Sequence, residues 1–340
     1  MQTRLPYPKG SLLFAPLEGI TDRHYRKAIM DLYPEWDYFS TDFIRLPSQG
    51  HYSEKKIQEH FGRHLYSKNY LDKTAVQILA TIRGDIVTSL KTIKALGHRH
   101  IDLNLGCPSK TVNSHGGGAY LLGNLNELEK ILSTIRKNWQ EVFTVKIRTG
   151  YRDADQFTDI ISLLTNQGVD AITIHGRTRD QLYKGTADWS FFEQASKHTD
   201  VPIIANGDIW ELKHVQQILN ETGCYAVMCG RSALKSPWLA KIYKQRGVDV
   251  SHEELISIRR QEIISYYLGL KKSLLDSGLC EKHISKKFKS VARHLFDDLP
   301  DGEIIRSQFL RSQHMNDLMT IVMGLSEDRS ISSNDNLFPN

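Results

Sequence analysis

From Ser11 to Arg231 the chain alternates between two rhythms of apolar residues. Short runs rich in Val, Ile and Phe are followed by stretches in which Leu, Ile and Val recur every three to four positions. This is the pattern of a strand followed by an amphipathic helix. Eight runs read as strands: Ser11–Leu17, Asp37–Ile44, Thr74–Leu79, His100–Gly106, Phe143–Thr149, Ala171–Arg177, Pro202–Asp208 and Tyr225–Arg231. Between them, Asp85–Leu96 carries Ile86, Leu90, Ile93 and Leu96 on one helical face. Asn126–Trp139 does the same with Leu128, Ile131, Leu132 and Ile135, behind an Asn/Asp-type cap.

Eight βα units predict an α/β protein built as a TIM (β/α)8 barrel, for which about 250 residues is typical. A doubly wound sheet is the other parallel architecture. It wants a Gly-rich dinucleotide turn after its first strand, and APLEGITD is not one. The strands begin apolar and end in polar or Gly-containing tips: APLEG, VQILA, NLGCPSK, KIRTG, HGRT, NGDI and CGRS. In a barrel those C-terminal ends form the face that carries the active site. Gln77, Asn104, Lys146, His175 and Asn206 interrupt otherwise apolar strands. Buried polar groups need partners, and a shared polar ligand is the simplest one.

Past Val248 only the helical period remains. Ser251 and Glu254 form a capping-box pattern that opens a helix to about Ser273. A second helix is expected over Glu281–Leu295 and a third from Glu303 to Gly324. The division expected is a catalytic barrel domain over residues 1–245, an all-helical domain over 246–325, and a polar, frayed tail over 326–340.

Composition narrows the class. No apolar run approaches the roughly 20 residues of a membrane span. The apolar stretch near the N-terminus is cut short by Glu18 and Asp22, so it does not read as a signal peptide, and a cytoplasmic protein is the expectation. The four cysteines form no CxxC pair and have no His at metal-ligand spacing, so neither a metal site nor a disulfide framework is expected. The net charge of +5 decides little, but its distribution says more. Between Lys282 and Phe296 stand five Lys/Arg and no carboxylate, a place for a polyanion to lie. No obligate protein partner is evident.

Several strand tips carry chemistry. Asn206-Gly207-Asp208 and Gly230-Arg231 follow the seventh and eighth strands, where barrels often bind phosphate. Glycine lets backbone N–H groups approach an anion, and Arg231 adds a bidentate guanidinium. Lys146 and His175 suit a cofactor whose reduced form carries negative charge, although a lysine there can also form a Schiff base. Gln77 and Asn104 both donate and accept, as a ring with alternating donors and acceptors requires. Cys107 follows the fourth strand, in a loop running through Gly116-Gly117-Gly118 that is expected to be flexible. Its thiol reads as a nucleophile, a general acid or a small buried filler.

In their order, APLEGITD, DLNLGCPSKTVNSHGGGAYLL, KIRTGY, HGRTRDQLYKGTADW, IIANGDIW and VMCGRSAL resemble the motifs of the tRNA-dihydrouridine synthases. The resemblance covers almost the whole chain. PSKTVN, GGGAYLL and ANGDIW are most similar to the bacterial C-type branch, which acts on uridine 16 of the D-loop. It implies that Pro16, Leu17 and Glu18 line an FMN, with Gln77, Lys146 and His175 bonding its ring and ribityl chain. Asn206, Gly207, Asp208, Gly230 and Arg231 would hold its phosphate, and NADPH would reduce it. Cys107 would protonate C5 of uracil, and Asn104 and Tyr183 would contact a flipped-out uridine.

The sequence departs from the family pattern at three places. Leu105 stands where the family loop has a first Cys, Asp42-Phe43 replaces Glu-Phe and shortens a side chain expected to touch the base, and Lys287 and Lys289 stand where Arg-x-Lys is common. On the second expected helix, Lys286, Lys289 and Arg293 make a basic stripe beside an apolar one of Phe288, Val291 and Leu295, as tRNA phosphates would require. Two other readings stay open: an FMN barrel dehydrogenase acting on a free pyrimidine, and a non-catalytic tRNA-binding folding factor.

Overall fold

The computed structural model describes residues 3–326, so the expected tail from residue 327 onward lies outside the described residues. The chain divides into two compact units, one ending at Val248 and the other beginning at Asp249.

The first unit is a closed parallel barrel. Its strands are β1 (Leu12–Phe14), β2 (Tyr38–Ser40), β3 (Ile44–Arg45), β4 (Thr74–Leu79), β5 (His100–Leu105), β6 (Val142–Arg148), β7 (Ala171–His175), β8 (Ile203–Asn206) and β9 (Ala226–Cys229). Consecutive strands from β4 to β9 pair in parallel, and β1 pairs with both β9 and β2. The pairing of β2 with β4 closes the ring at eight strands, leaving β3 as a short addition on the end of β4.

The second expected strand is therefore broken. Thr41 explains the break: its N–H bonds Ala75 O, and its hydroxyl takes the N–H of Gln77 at 3.0 Å in place of a backbone carbonyl. The chain leaves the ladder there and brings Asp42 and Phe43 to the barrel mouth.

Helices cover the outside. Ile86–Ala95 buries Ile86, Leu90 and Ile93, and its Asp85 cap accepts from Thr88 N–H. Leu125–Asn138 buries Leu128, Ile131, Leu132 and Ile135, each worth about 1.5–3 kcal/mol when fully buried. Inside, Tyr7, Leu13, Tyr38, Ile204 and Met228 pack into one cluster, and Ala75, Ala171 and Ala226 leave room for the two tyrosines. Polar residues are buried beside this cluster as well: His100, which bonds the Tyr38 hydroxyl at 2.9 Å, Asp102 and Thr144.

The second unit holds helices His252–Asp276, Glu281–Val291, Gly302–Arg311 and Met315–Met323. Ser251 caps the first, accepting from Glu254 N–H. Its core is aromatic: Tyr267 lies 4.7 Å from Phe288 and 5.1 Å from Phe309, centroid to centroid. The helix expected over Glu281–Leu295 ends at Val291, so Phe288 and Val291 lie on it while Leu295 is buried from the turns beyond. The long helix expected over Glu303–Gly324 is two helices. Ile305 and Phe309 are buried on one and Met315, Leu318 and Val322 on the other, and the six-residue step from Phe309 to Met315 does not continue one stripe. A bend at Ser312–His314, extended at both residues, lets both faces pack.

Candidate active site

The C-terminal ends of the strands surround one cavity with about 970 Å³ of free space, its open mouth included. Every barrel residue expected from the sequence to touch cofactor or substrate lines it. Pro16, Leu17 and Glu18 follow β1, Asp42 follows β2, Gln77 lies on β4, and Asn104 and Cys107 lie on and after β5. Lys146 and His175 come from β6 and β7, Tyr183 from the loop after β7, Asn206, Gly207 and Asp208 from β8, and Gly230 and Arg231 from the end of β9.

At the β8 and β9 end, the backbone N–H groups of Gly207, Asp208, Gly230 and Arg231 donate to no protein acceptor among the described residues. Gly207 is required there: its φ is +113°, and a Cβ would come within 2.6 Å of the His175 ring. Both carboxylate oxygens of Asp208 are engaged, one by Arg177 and Ala187 N–H and the other by Arg231 at 2.8 Å. Burial alone would raise this carboxyl, but those hydrogen bonds and the two guanidinium charges hold it below the usual range. Asp208 thus faces the cradle through its N–H and orients Arg231 through its side chain. The Arg231 guanidinium also sits between the rings of Tyr183 (4.9 Å) and Trp210 (5.0 Å).

The opposite wall is a string of hydrogen bonds. Gln77 Nε2 donates to Asp102 at 2.7 Å, and Asn104 Nδ2 donates to Gln77 Oε1 at 2.8 Å. Asn104 Oδ1 then accepts the N–H groups of Gly106 and Cys107 at 3.1 and 2.9 Å. Asn206 bonds the Met228 carbonyl at 2.8 Å. Gln77, Asn104 and Asn206, and His175 through Arg177, therefore find protein partners, where the sequence suggested a shared ligand.

Burial pushes the Lys146 ammonium down to about 8, the neighbouring Arg148 charge adds to this, and Asp102 opposes it. Burial likewise drives His175 well below its ordinary value, assisted by the charges of Lys146, Arg148, Arg177 and Arg231. His175 is therefore neutral at pH 7. Arg177 approaches its Nε2 at 3.3 Å, and a guanidinium can only donate, which places the ring proton on Nδ1.

Cys107 is 8 % exposed. Burial raises its thiol, the Ser109 N–H lowers it, and the Glu18 charge raises it again. The net direction is upward, so the sulfur keeps its proton at neutral pH. The loop after it is packed rather than flexible: it forms a short helix, Lys110–Ser114, and Asn113 Nδ2 holds the Cys107 carbonyl at 3.0 Å. The triple glycine serves close approach, since a Cβ at Gly118 would meet the Cys107 carbonyl at 3.0 Å.

Lys286, Lys287, Lys289 and Arg293 belong to the second unit. The three lysines lie on helix Glu281–Val291, while Arg293 lies two residues past its end, so the expected stripe is shared between helix and turn. Lys286 and Arg293 are exposed, and Lys287 and Lys289 are half-buried. Among the described residues, no group of three or more His, Cys, Asp or Glu could hold a metal, and no helix is long and apolar enough to cross a membrane.

Sequence reasoning missed Arg148 and Trp210 on the wall, and Asp102 and Arg177 behind it. The signal was present in part. Asp102, Arg148 and Arg177 each stand two positions from a residue already singled out, and alternate residues of a strand share a face. Arg148 bonds the carbonyls of Gly106, Thr178 and Leu182, which ties the Cys107 and Tyr183 loops together.

Fold and cavity together define a (β/α)8-barrel enzyme with its site at the strand C-termini. Residues 13–319 match the family described as "Dihydrouridine synthase (Dus)", and the chain belongs to that family. Among its relatives, the tRNA-dihydrouridine(16) synthase of Cupriavidus necator is 29% identical over 322 residues, covering 92% of this chain and 97% of the relative. The protein of the same name from Escherichia coli K12 is 28% identical, covering 84% and 90%. The tRNA-dihydrouridine synthase B of Proteus vulgaris is 32% identical, covering 68% of this chain and 70% of the relative.

Proposed function

We propose that the protein uses FMN, reduced by NADPH, to convert a uridine of the tRNA D-loop to 5,6-dihydrouridine, with position 16 as its target and the cytoplasm as its place of action. Family membership supports the reaction. The relatives named for position 16 align over 84–92% of this chain, against 68% for the B-type relative, which supports that position. One observation carries the reading to this cavity: a thiol that keeps its proton shares one cavity with an ammonium, two amides and a cradle of unpaired N–H groups.

This donor set fits FMN. The N–H groups of Gly207, Asp208, Gly230 and Arg231, with the Arg231 guanidinium, suit a phosphate, and Asn206 shapes the cradle from beneath. Lys146, Gln77 and the Nδ1–H of His175 suit the acceptor atoms of an isoalloxazine ring, beside the Pro16–Glu18 turn. When bound, the reduced flavin supplies a hydride to C6 of uracil. Cys107 supplies the proton that C5 then needs. Asn104, Tyr183 and Asp42 hold the base, and Arg148 fixes the loop from which Tyr183 projects. Residues 246–325 form the tRNA-binding domain, where Lys286, Lys287, Lys289 and Arg293 neutralise phosphates.

The test is mass-spectrometric mapping of dihydrouridine in tRNA from cells with and without the gene. Loss at position 16 alone supports the whole proposal. Loss at another D-loop position keeps the reaction and overturns the target, and unchanged tRNA overturns both.

A further inference from the structure

Asp102 sits on β5 behind the cavity wall, 3 % exposed, two positions before Asn104 and on the same face. The strand register sets it opposite Gln77 on one side and Thr144 on the other. Its Oδ2 accepts from Gln77 Nε2 at 2.7 Å and its Oδ1 from the Thr144 hydroxyl at 2.7 Å.

We infer that Asp102 is a positioning residue that fixes the Gln77 amide, the end of a string whose other end, at Asn104, is held by the Gly106 and Cys107 N–H groups. A carboxylate can only accept, so Gln77 must turn its NH2 toward it. Gln77 Oε1 then faces Asn104 and demands the Asn104 NH2, at 2.8 Å. Asn104 Oδ1 is left to take the N–H groups of Gly106 and Cys107. Reversing either amide sets donor against donor or acceptor against acceptor in a buried place. Each unsatisfied group there costs about 1–3 kcal/mol. The string can therefore run only one way, held by Asp102 at the Gln77 end and by the Gly106 and Cys107 N–H groups at the Asn104 end. Each amide keeps one further N–H, and both line the cavity beside the Lys146 ammonium. The wall is thus set to receive acceptor atoms. This inference rests on the FMN reading of the cavity and adds to it the residue that holds the Gln77 end of its donor pattern.

Asp102→Ala leaves the Gln77 NH2 without its acceptor and that amide free to swing, while the Gly106 and Cys107 N–H groups still hold Asn104 Oδ1. Asp102→Asn can still accept from Gln77 through Oδ1 while its NH2 donates to the Thr144 hydroxyl, which both donates and accepts. The deflavinated full-length protein and both variants are titrated with FMN by fluorescence quenching, with the melting temperature of each as the control for folding. Asp102→Ala is expected to bind FMN at least tenfold more weakly, and Asp102→Asn within threefold of the unsubstituted protein. Unchanged affinity in Asp102→Ala overturns the inference. So does an Asp102→Asn as weak as Asp102→Ala, which would assign the effect to charge. Where Asp102→Ala yields no folded protein, Thr144→Val, which frees the carboxylate at Oδ1 without changing side-chain shape, replaces it. About threefold weaker binding is expected there, and unchanged affinity overturns the inference. Failure of the unsubstituted protein to bind FMN would instead overturn the flavin reading itself.

Discussion

Replacing Cys107 with Ala separates chemistry from structure, because of the bonds that hold the loop only that of the Ser109 N–H ends on the sulfur. The Cys107 N–H is held by Asn104 at 2.9 Å, and its carbonyl is held by Asn113 at 3.0 Å and by Ala119 N–H at 3.3 Å. All three bonds survive the substitution. The stability cost is that of one buried heavy atom, about 1 kcal/mol by analogy with a methylene. What disappears is the proton donor, and general acids contribute about 10²–10⁴-fold. At about 1.36 kcal/mol per decade, this is roughly 2.7–5.4 kcal/mol of barrier. Cys107→Ala should therefore bind FMN like the unsubstituted protein and accept electrons from NADPH, yet reduce uridine at least about a hundredfold more slowly. The assay mixes anaerobically reduced enzyme with unmodified tRNA, follows flavin reoxidation in a single turnover, and counts dihydrouridine by mass spectrometry. A variant that stays folded and reduces uridine within threefold of the normal rate would refute the assignment of Cys107 as the acid. Because burial raises the thiol, the same reaction in the unsubstituted protein should stay level with pH through the ordinary thiol range and slow only above it.

Gly207→Ala should lower stability by at least about 2 kcal/mol, from left-handed backbone strain plus overpacking against His175, and should weaken FMN binding; thermal melting and an FMN titration check this. Lys146 carries its charge below about pH 8 in the free protein. Binding that uses the ammonium favours the protonated form, so FMN affinity should be flat below that pH and fall by up to about tenfold per unit above it. A flat profile in the unsubstituted protein would count against Lys146 as a cofactor contact, and Lys146→Met should show no such slope. Lys286→Ala combined with Lys289→Ala should weaken tRNA binding while leaving FMN affinity unchanged. The slope of log affinity against log salt should fall by about 0.7–0.9 for each phosphate no longer neutralised. Filter binding across a salt series decides it.

The sequence by itself determined the barrel, because strand and helix periods record which face of each element is buried. All eight barrel strands fall where the apolar runs lie, and the buried face of Leu125–Asn138 is the one its spacing marks. It also marked the strand tips, since polar residues ending apolar strands are costly unless they serve a site, and every barrel residue chosen on that ground or by family resemblance lines one cavity. Periodicity carries no information about partners. Gln77 and Asp102 lie 25 residues apart and Asp102 and Thr144 lie 42 apart, and only strand register makes them neighbours. Tertiary structure likewise decided where elements break. Thr41 leaves its strand because its hydroxyl takes a backbone N–H, and the chain bends at Ser312–His314 because two apolar stripes out of phase must share one core. The residues that do chemistry were legible singly. The hydrogen bonds that aim them form only once the barrel closes and sets distant strands side by side.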